Sequence, residues 1–328
     1  MGPRRDSILV ATGAAVLIAL PHLVAAQPPA KVSPEVYSAT LREIVAQAPR
    51  VPLQPGPITI SPPATGWALG MVSWIVADRG GLTYLLHRGD QADPIVVLDR
   101  QGQLVRSWGK GGYQTPHSIR IDPDGNVWTT DAKSSKVIKY APNGTTLLEI
   151  AVGGQPADCA TAFCGTTDIA FSPRGRIFVA DGYRNARILE YTAEGRPVRA
   201  WGRPGTGPGE FRLPHSIVID EEGIIYVADR ENARIERFDL EGNYLGEWPK
   251  YGKTFSLALG PGVVWLGSQD PSQPNLSPGW LIEVDRRTGK VVGFLDATGI
   301  HGIDVTNRGE LLFAPGPELK PQRFQARP

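Results

Sequence analysis

The stretch that decides the fold is His117-Ser118-Ile119-Arg120-Ile121, a turn through Asp124-Gly125-Asn126, and Val127-Trp128-Thr129-Thr130-Asp131. Two apolar-rich runs joined by an Asp/Gly turn predict a β-hairpin. The pattern recurs as Thr167-Asp168-Ile169-Ala170-Phe171 followed by Ile177-Phe178-Val179-Ala180-Asp181. It returns as His215-Ser216-Ile217-Val218-Ile219 followed by Ile225-Tyr226-Val227-Ala228-Asp229. In all three copies the closing Asp stands 14 residues after the opening position. A fainter copy opens at His301-Gly302-Ile303-Asp304-Val305, turns at Asn307-Arg308-Gly309 and returns through Leu311–Ala314. Strand, turn and strand repeated at a spacing of about fifty residues is the mark of a propeller blade.

A second marker runs through the outer part of each repeat. Gly102, Gly144, Gly195, Gly242 and Gly289 are each followed six residues later by Trp108, Ile150, Trp201, Trp248 or Leu295. The glycine is expected to make a turn and the large apolar residue to pack between neighbouring sheets, so these tryptophans are core and not a binding platform. Blades then begin near Gly70, Pro116, Thr166, Pro214, Phe255 and Ile300, which predicts an all-β, six-bladed β-propeller over residues 66–328. The chain ends too soon after Leu311–Ala314 to complete the sixth blade. A strand near Ile58–Ile60 is therefore expected to close the ring, leaving no open sheet edge at the seam. The Pro-rich segment 27–65 also carries a predicted helix from Ser33-Pro34, with Tyr37, Leu41, Ile44, Val45 and Ala48 on one face, docked outside the propeller.

Ahead of that segment, Arg4 and Arg5 precede an apolar run from Ile8 to Leu20 and small residues at Val24-Ala25-Ala26. This predicts a signal peptide over residues 1–26 and a secreted or periplasmic protein, the alternative being an uncleaved anchor. Removing it takes away two Arg and one Asp and leaves 32 basic and 32 acidic residues. So balanced a surface gives no reason to expect nucleic acid or an anionic membrane as partner, and a monomer is expected. The two cysteines, Cys159 and Cys164, lie close together in a Gly/Pro-bounded loop. An exported chain favours a disulfide there, since no second Cys or His pair stands nearby at zinc-ligand spacing.

Outside the first 26 residues there are four histidines: His87, His117, His215 and His301. The last three share one register in blades two, four and six. The first strand of each propeller blade lines the central channel, and alternate blades lie about 120° apart around it. Three imidazoles would thus converge on the axis, as at a catalytic zinc with an open position, although other divalent ions suit such ligands too. Residues just after the closing position should ring the same mouth: Arg88, Gly182, Tyr183 and Arg230. Two arginines suit a carboxylate, and a tyrosine beside cationic groups can serve as a base. Asp131, Asp181 and Asp229, repeated at the closing position, are expected to bond loop amides and are not assigned to catalysis.

With these residues in view, the chain resembles the NHL-repeat propellers, and among them the peptidyl-α-hydroxyglycine α-amidating lyases. The likeness is carried by His87-Arg88-Gly89-Asp90, Pro116-His117-Ser118-Ile119, Phe163-Cys164-Gly165-Thr166-Thr167-Asp168, Ala180-Asp181-Gly182-Tyr183-Arg184-Asn185-Ala186-Arg187, Pro214-His215-Ser216 and Ala228-Asp229-Arg230-Glu231-Asn232-Ala233-Arg234. The resemblance implies zinc on His117, His215 and His301, Tyr183 as base, and Arg88 and Arg230 on substrate. It further implies cleavage of a carboxylate-bearing carbinolamide, small or peptide, to an amide and glyoxylate. Gly302 stands where the family has an aspartate associated with calcium, so the likeness does not extend to that ion. Arg184 stands where the family has a cysteine, which leaves Cys164 to pair with Cys159. Two other readings compete. A non-catalytic NHL-type binding module would not need three histidines, and a propeller lactonase would favour carboxylate and Asn ligands.

Overall fold

Each hairpin of the sequence grows into a four-stranded antiparallel sheet, and six such sheets stand around one axis among the described residues. The computed structural model describes residues 34–153, 163–249, 251–316 and 319–326. The expected signal peptide and Cys159 lie outside them. The innermost strands are Val72–Ala77, Pro116–Ile121, Asp168–Phe171, Pro214–Ile219, Lys253–Gly260 and Ile300–Val305, in blades one to six. Each of these strands packs on its neighbours around the channel as well as pairing within its own sheet, so its alternating side chains are buried on both faces.

The ring closes with an N-terminal strand, but not at the residues expected. Blade six takes Ile300–Val305, Leu311–Pro315 and Gln322–Ala326 from the C-terminal end, and Leu53–Pro57 completes it as the outermost strand, antiparallel to Gln322–Ala326. Ile58 is instead buried in the apolar cluster between blades six and one, with Val72, Leu85 and Leu312. The apolar run read as a strand is thus the plug that follows it, while the closing strand is Leu-Gln-Pro-Gly-Pro, a sequence tolerated at an outer edge.

The outer Gly/apolar marker has a direct packing cause. The Trp108, Trp201 and Trp248 rings lie against Gly144, Gly242 and Gly289 of the next blade, where an added Cβ would come within 2.9, 3.1 and 2.5 Å. Those glycines sit at φ +92°, +82° and +67°, so they supply both the turn and the gap. On the outside, the helix Pro34–Gln47 buries Leu41 and Val45 against Trp248, Tyr251 and Leu266. Arg42 Nε donates to Asp270 across the same contact at 2.9 Å. No helix among the described residues is long and apolar enough to cross a membrane.

Candidate metal centre

Local irregularity aims the three histidines. Each innermost strand of blades two, four and six carries a register shift at its first residues: Pro116/Ile119, Pro214/Ser216 and Ile300/Gly302. The histidine falls in the interrupted stretch each time, and a bulge re-aims a side chain that regular pleating would send elsewhere. His117, His215 and His301 are almost wholly buried, and their ligand nitrogens lie within 4.8 Å of one another.

The odd-numbered blades fix the tautomers. His117 Nδ1 contacts the Thr167 carbonyl, His215 Nδ1 the Phe255 carbonyl and His301 Nδ1 the Ser73 carbonyl, each at 2.6 Å. A carbonyl only accepts, so every Nδ1 carries the proton and every Nε2 is left with a bare lone pair. Burial holds all three imidazoles neutral. It drives His117 and His215 well below the ordinary histidine value, with His301 and Arg88 adding to the effect at the first and Arg230 at the second. His301 is lowered to about 3 by burial and Arg88.

Tyr183 closes the cluster. Its hydroxyl stands 2.9 Å from His117 Nε2 and 3.2 Å from His215 Nε2. One phenolic proton cannot satisfy three bare nitrogens. A buried group of this make-up, with more lone pairs than protons, suits a divalent cation, and neutral nitrogen donors suit zinc among other ions. The histidine cage could therefore hold a metal ion.

The rim residues also converge. Gly182 lets the chain pass the Pro214 carbonyl, which an added Cβ would meet at 2.1 Å, and so brings Tyr183 beside His215. Arg88 donates from Nε to the Pro116 carbonyl at 3.0 Å and lies 5.2 Å from the centre of the Phe163 ring, which in turn packs on Tyr183. Its Nη2 is buried and has no hydrogen-bond partner among the described residues. Arg230 stacks on Phe255 at 4.7 Å and donates from Nε to Glu231 at 2.9 Å. The two arginines thus differ: Arg230 already has a carboxylate, whereas Arg88 has a donor to spare. Both pull the Tyr183 hydroxyl down, yet burial is the larger effect and its net shift is upward. That corrects the expectation of a phenolate stabilised by its surroundings, because the hydroxyl points in among the buried histidines although the residue as a whole is only half-buried.

The fourth histidine is structural. His87 Nδ1 accepts from the Gly70 and Gly89 amides and Nε2 contacts the Asp93 carbonyl at 2.8 Å, which sets the backbone that carries Arg88. Two of the repeated aspartates bond loop amides as expected, whereas Asp181 accepts from the Asn185 and Arg187 side chains at 2.8 Å. Asp131 accepts the Gln114, Thr115, Lys133 and Ser134 amides, and Asp229 the Arg212 amide. Sequence reasoning missed Trp74, Phe163 and Phe255, which wall the site. Ser73, Thr167 and Phe255 occupy the histidine register in the odd blades, a signal that was present in the repeat. Gly302 leaves room for Trp74, whose atoms an added Cβ would meet at 2.8 Å. Cys164 is buried, and its expected pairing involves Cys159, beyond the described residues.

A family model described as a 6-bladed beta-propeller matches residues 162–250. The chain is 33% identical over 236 residues to peptidyl-glycine alpha-amidating monooxygenase A of Xenopus laevis, covering 62% of this chain and 25% of that one. It is 29% identical over 238 residues to peptidyl-alpha-hydroxyglycine alpha-amidating lyase 1 of Drosophila melanogaster, covering 61% and 44%. It is also 31% identical over 185 residues to NHL repeat-containing protein 3 of Homo sapiens, covering 53% of each. The chain is a six-bladed propeller homologous to amidating lyases and NHL-repeat proteins. It spans about a quarter to about half the length of these relatives. Among solved structures, a streptogramin B lyase superposes with TM-score 0.60 at 16% identity, covering 84% of this chain and 98% of that one. A putative gluconolactonase gives 0.61 at 10% identity, covering 86% and 95%. At such identities the shared property is the propeller fold. Amidating and lyase names recur among these relatives.

Proposed function

We propose that this exported propeller is a metal-dependent lyase that splits an α-hydroxyglycine-type carbinolamide into an amide and glyoxylate. The observation that carries the reading is the adjacency of three bare imidazole nitrogens and the Tyr183 hydroxyl, with Arg88 near enough to act on His117, His301 and Tyr183 and its Nη2 without a partner among the described residues. His117, His215 and His301 would hold the ion, with zinc the first choice for neutral nitrogen donors. When bound, such an ion supplies positive charge that polarises a hydroxyl and favours its deprotonated form.

The residues of the chain do the remainder. Arg88 Nη2 takes a carboxylate oxygen of the glycine part and so orients the carbinol toward the axis. Tyr183 first gives up its own proton to solvent; as phenolate it accepts the carbinol proton, the carbon–oxygen bond becomes the carbonyl of glyoxylate, and the carbon–nitrogen bond breaks. The same proton returns to the departing nitrogen, giving the amide, so one residue serves as base and then acid. Arg230, itself neutralised by Glu231, opposes the burial of Tyr183 and eases its loss of a proton. Phe163 and Phe255 cover the arginines and limit access of water to the reacting bond.

The test is glyoxylate release from an N-acyl-α-hydroxyglycine by the zinc-loaded protein. Tyr183→Phe should retain the metal and lose at least about a hundredfold in kcat, while Arg88→Met should act mainly through KM. No glyoxylate from loaded wild-type protein, or full rate from Tyr183→Phe, overturns the proposal.

A further inference from the structure

Directly beneath the histidines lies a second buried layer that the reaction above does not use. Arg120, from blade two, reaches across the channel and donates from Nε and Nη2 to the Asp168 carboxylate of blade three at 3.0 and 2.6 Å. The same Nη2 reaches Ser216 Oγ in blade four at 3.3 Å and the Leu257 carbonyl in blade five at 3.1 Å. Its guanidinium also lies 4.8 Å from the centre of the Trp74 ring in blade one. One side chain thus touches four blades besides its own. Asp168, Ser216 and Trp74 are fully buried and Arg120 is 9% exposed.

The contacts of this arginine fall beside the three carbonyls that hold the histidine protons. Asp168 follows Thr167, whose carbonyl receives His117 Nδ1–H. Trp74 follows Ser73, whose carbonyl receives His301 Nδ1–H, and its ring meets the His301 ring edge-on at 6.0 Å. Leu257 stands two residues after Phe255, whose carbonyl receives His215 Nδ1–H. Ser216 joins these strands, since its hydroxyl donates to Asp168 at 2.7 Å and accepts the Leu257 amide at 3.0 Å. The Ile217 amide adds a further bond to Asp168 at 3.1 Å.

We infer that Arg120 is the positioning residue of the histidine cage, pinning blades one, three and five so that their carbonyls keep each Nδ1 protonated and each Nε2 free for a cation. It touches neither substrate nor metal and acts through Trp74, Asp168, Ser216 and Leu257. The inference rests on the cage that the proposed function also uses, but not on the lyase chemistry.

The experiment follows ring protonation by nitrogen-15 NMR of histidine-labelled, metal-free protein, together with zinc affinity by chelator competition. Arg120→Met combined with Asp168→Asn removes the buried ion pair as a unit, so that no lone charge is left inside. This double variant should give mixed tautomers at the cage histidines and bind zinc about 10–100-fold more weakly. Ser216→Ala is the milder arm and should disturb His215, leaving His301 unchanged. Arg120→Lys, which keeps the charge but loses the fork, should bind zinc with intermediate affinity. Wild-type tautomers and affinity in the folded double variant overturn the assignment. Should the double variant not fold, Ser216→Ala decides: an unchanged or uniform response of the three histidines overturns the inference. Wild-type protein that binds no zinc would sink the proposed function, while the tautomer pattern would still judge Arg120.

Discussion

The most direct probe of the histidine cage is the acid response of metal-free protein, compared with that of His301→Asn. Asparagine keeps a donor for the Ser73 carbonyl and removes the titrating ring. His301 is lowered to about 3 from an unfolded value of 6.5. Above pH 6.5 the ring is neutral in both folded and unfolded chains, so its contribution is fully present. Below that, the unfolded chain binds a proton that the folded chain refuses until about pH 3, and stability is lost across the window. Between pH 7 and about pH 5 the loss through His301 amounts to about 2 kcal/mol, at about 1.4 kcal/mol per unit below the unfolded value. Buried Glu236 and Asp304 pull the other way. They are held up at about 8 and about 6, chiefly by burial, and gain stability as pH falls. The quantity to measure is therefore the difference between wild type and variant in urea unfolding with a chelator present, followed by tryptophan fluorescence. That difference should shrink by about 2 kcal/mol from pH 7 to about pH 5. A difference that stays constant would mean that His301 titrates normally, and the argument for a bare, cation-ready nitrogen would fail.

Two predictions concern the scaffold. Gly289→Ala places a Cβ 2.5 Å from the Trp248 ring at a φ of +67°, and should cost about 1–3 kcal/mol in unfolding free energy. Leu41→Ala leaves a hole where the helix meets the cluster of Trp248 and Leu266, and should cost about 2–5 kcal/mol. A change under about 0.5 kcal/mol in either would contradict the packing described.

The repeat made most of this molecule legible. The opening and closing positions of blades two, three and four fall where the strands begin and end, and the Gly/Trp marker corresponds to a ring of one blade resting in the gap of the next. The histidine register was legible for the same reason: a repeat converts sequence position into angle about an axis. Sequence pattern alone puts the closing strand five residues too far along, because Ile58–Ile60 is the more apolar run, whereas Leu53–Pro57 is selected by pairing with Gln322–Ala326. Edge pairing depends on backbone geometry between distant segments and leaves little trace in side-chain pattern.

What the sequence determined by itself is periodic: six blades, one face for the histidines and the rim residues after each closing position. What only the tertiary structure decided is pairing across blades. That the carbonyls of Ser73, Thr167 and Phe255 set the histidine protons, that Glu231 takes up Arg230, and that Arg120 spans the channel are, with one exception, contacts between residues far apart in the chain. The exception, Arg230 and Glu231, are neighbours in sequence whose pairing still depends on the rotamers that burial allows. A repeat fixes where each strand stands, but side-chain reach across a closed channel exists only once all six sheets are in place.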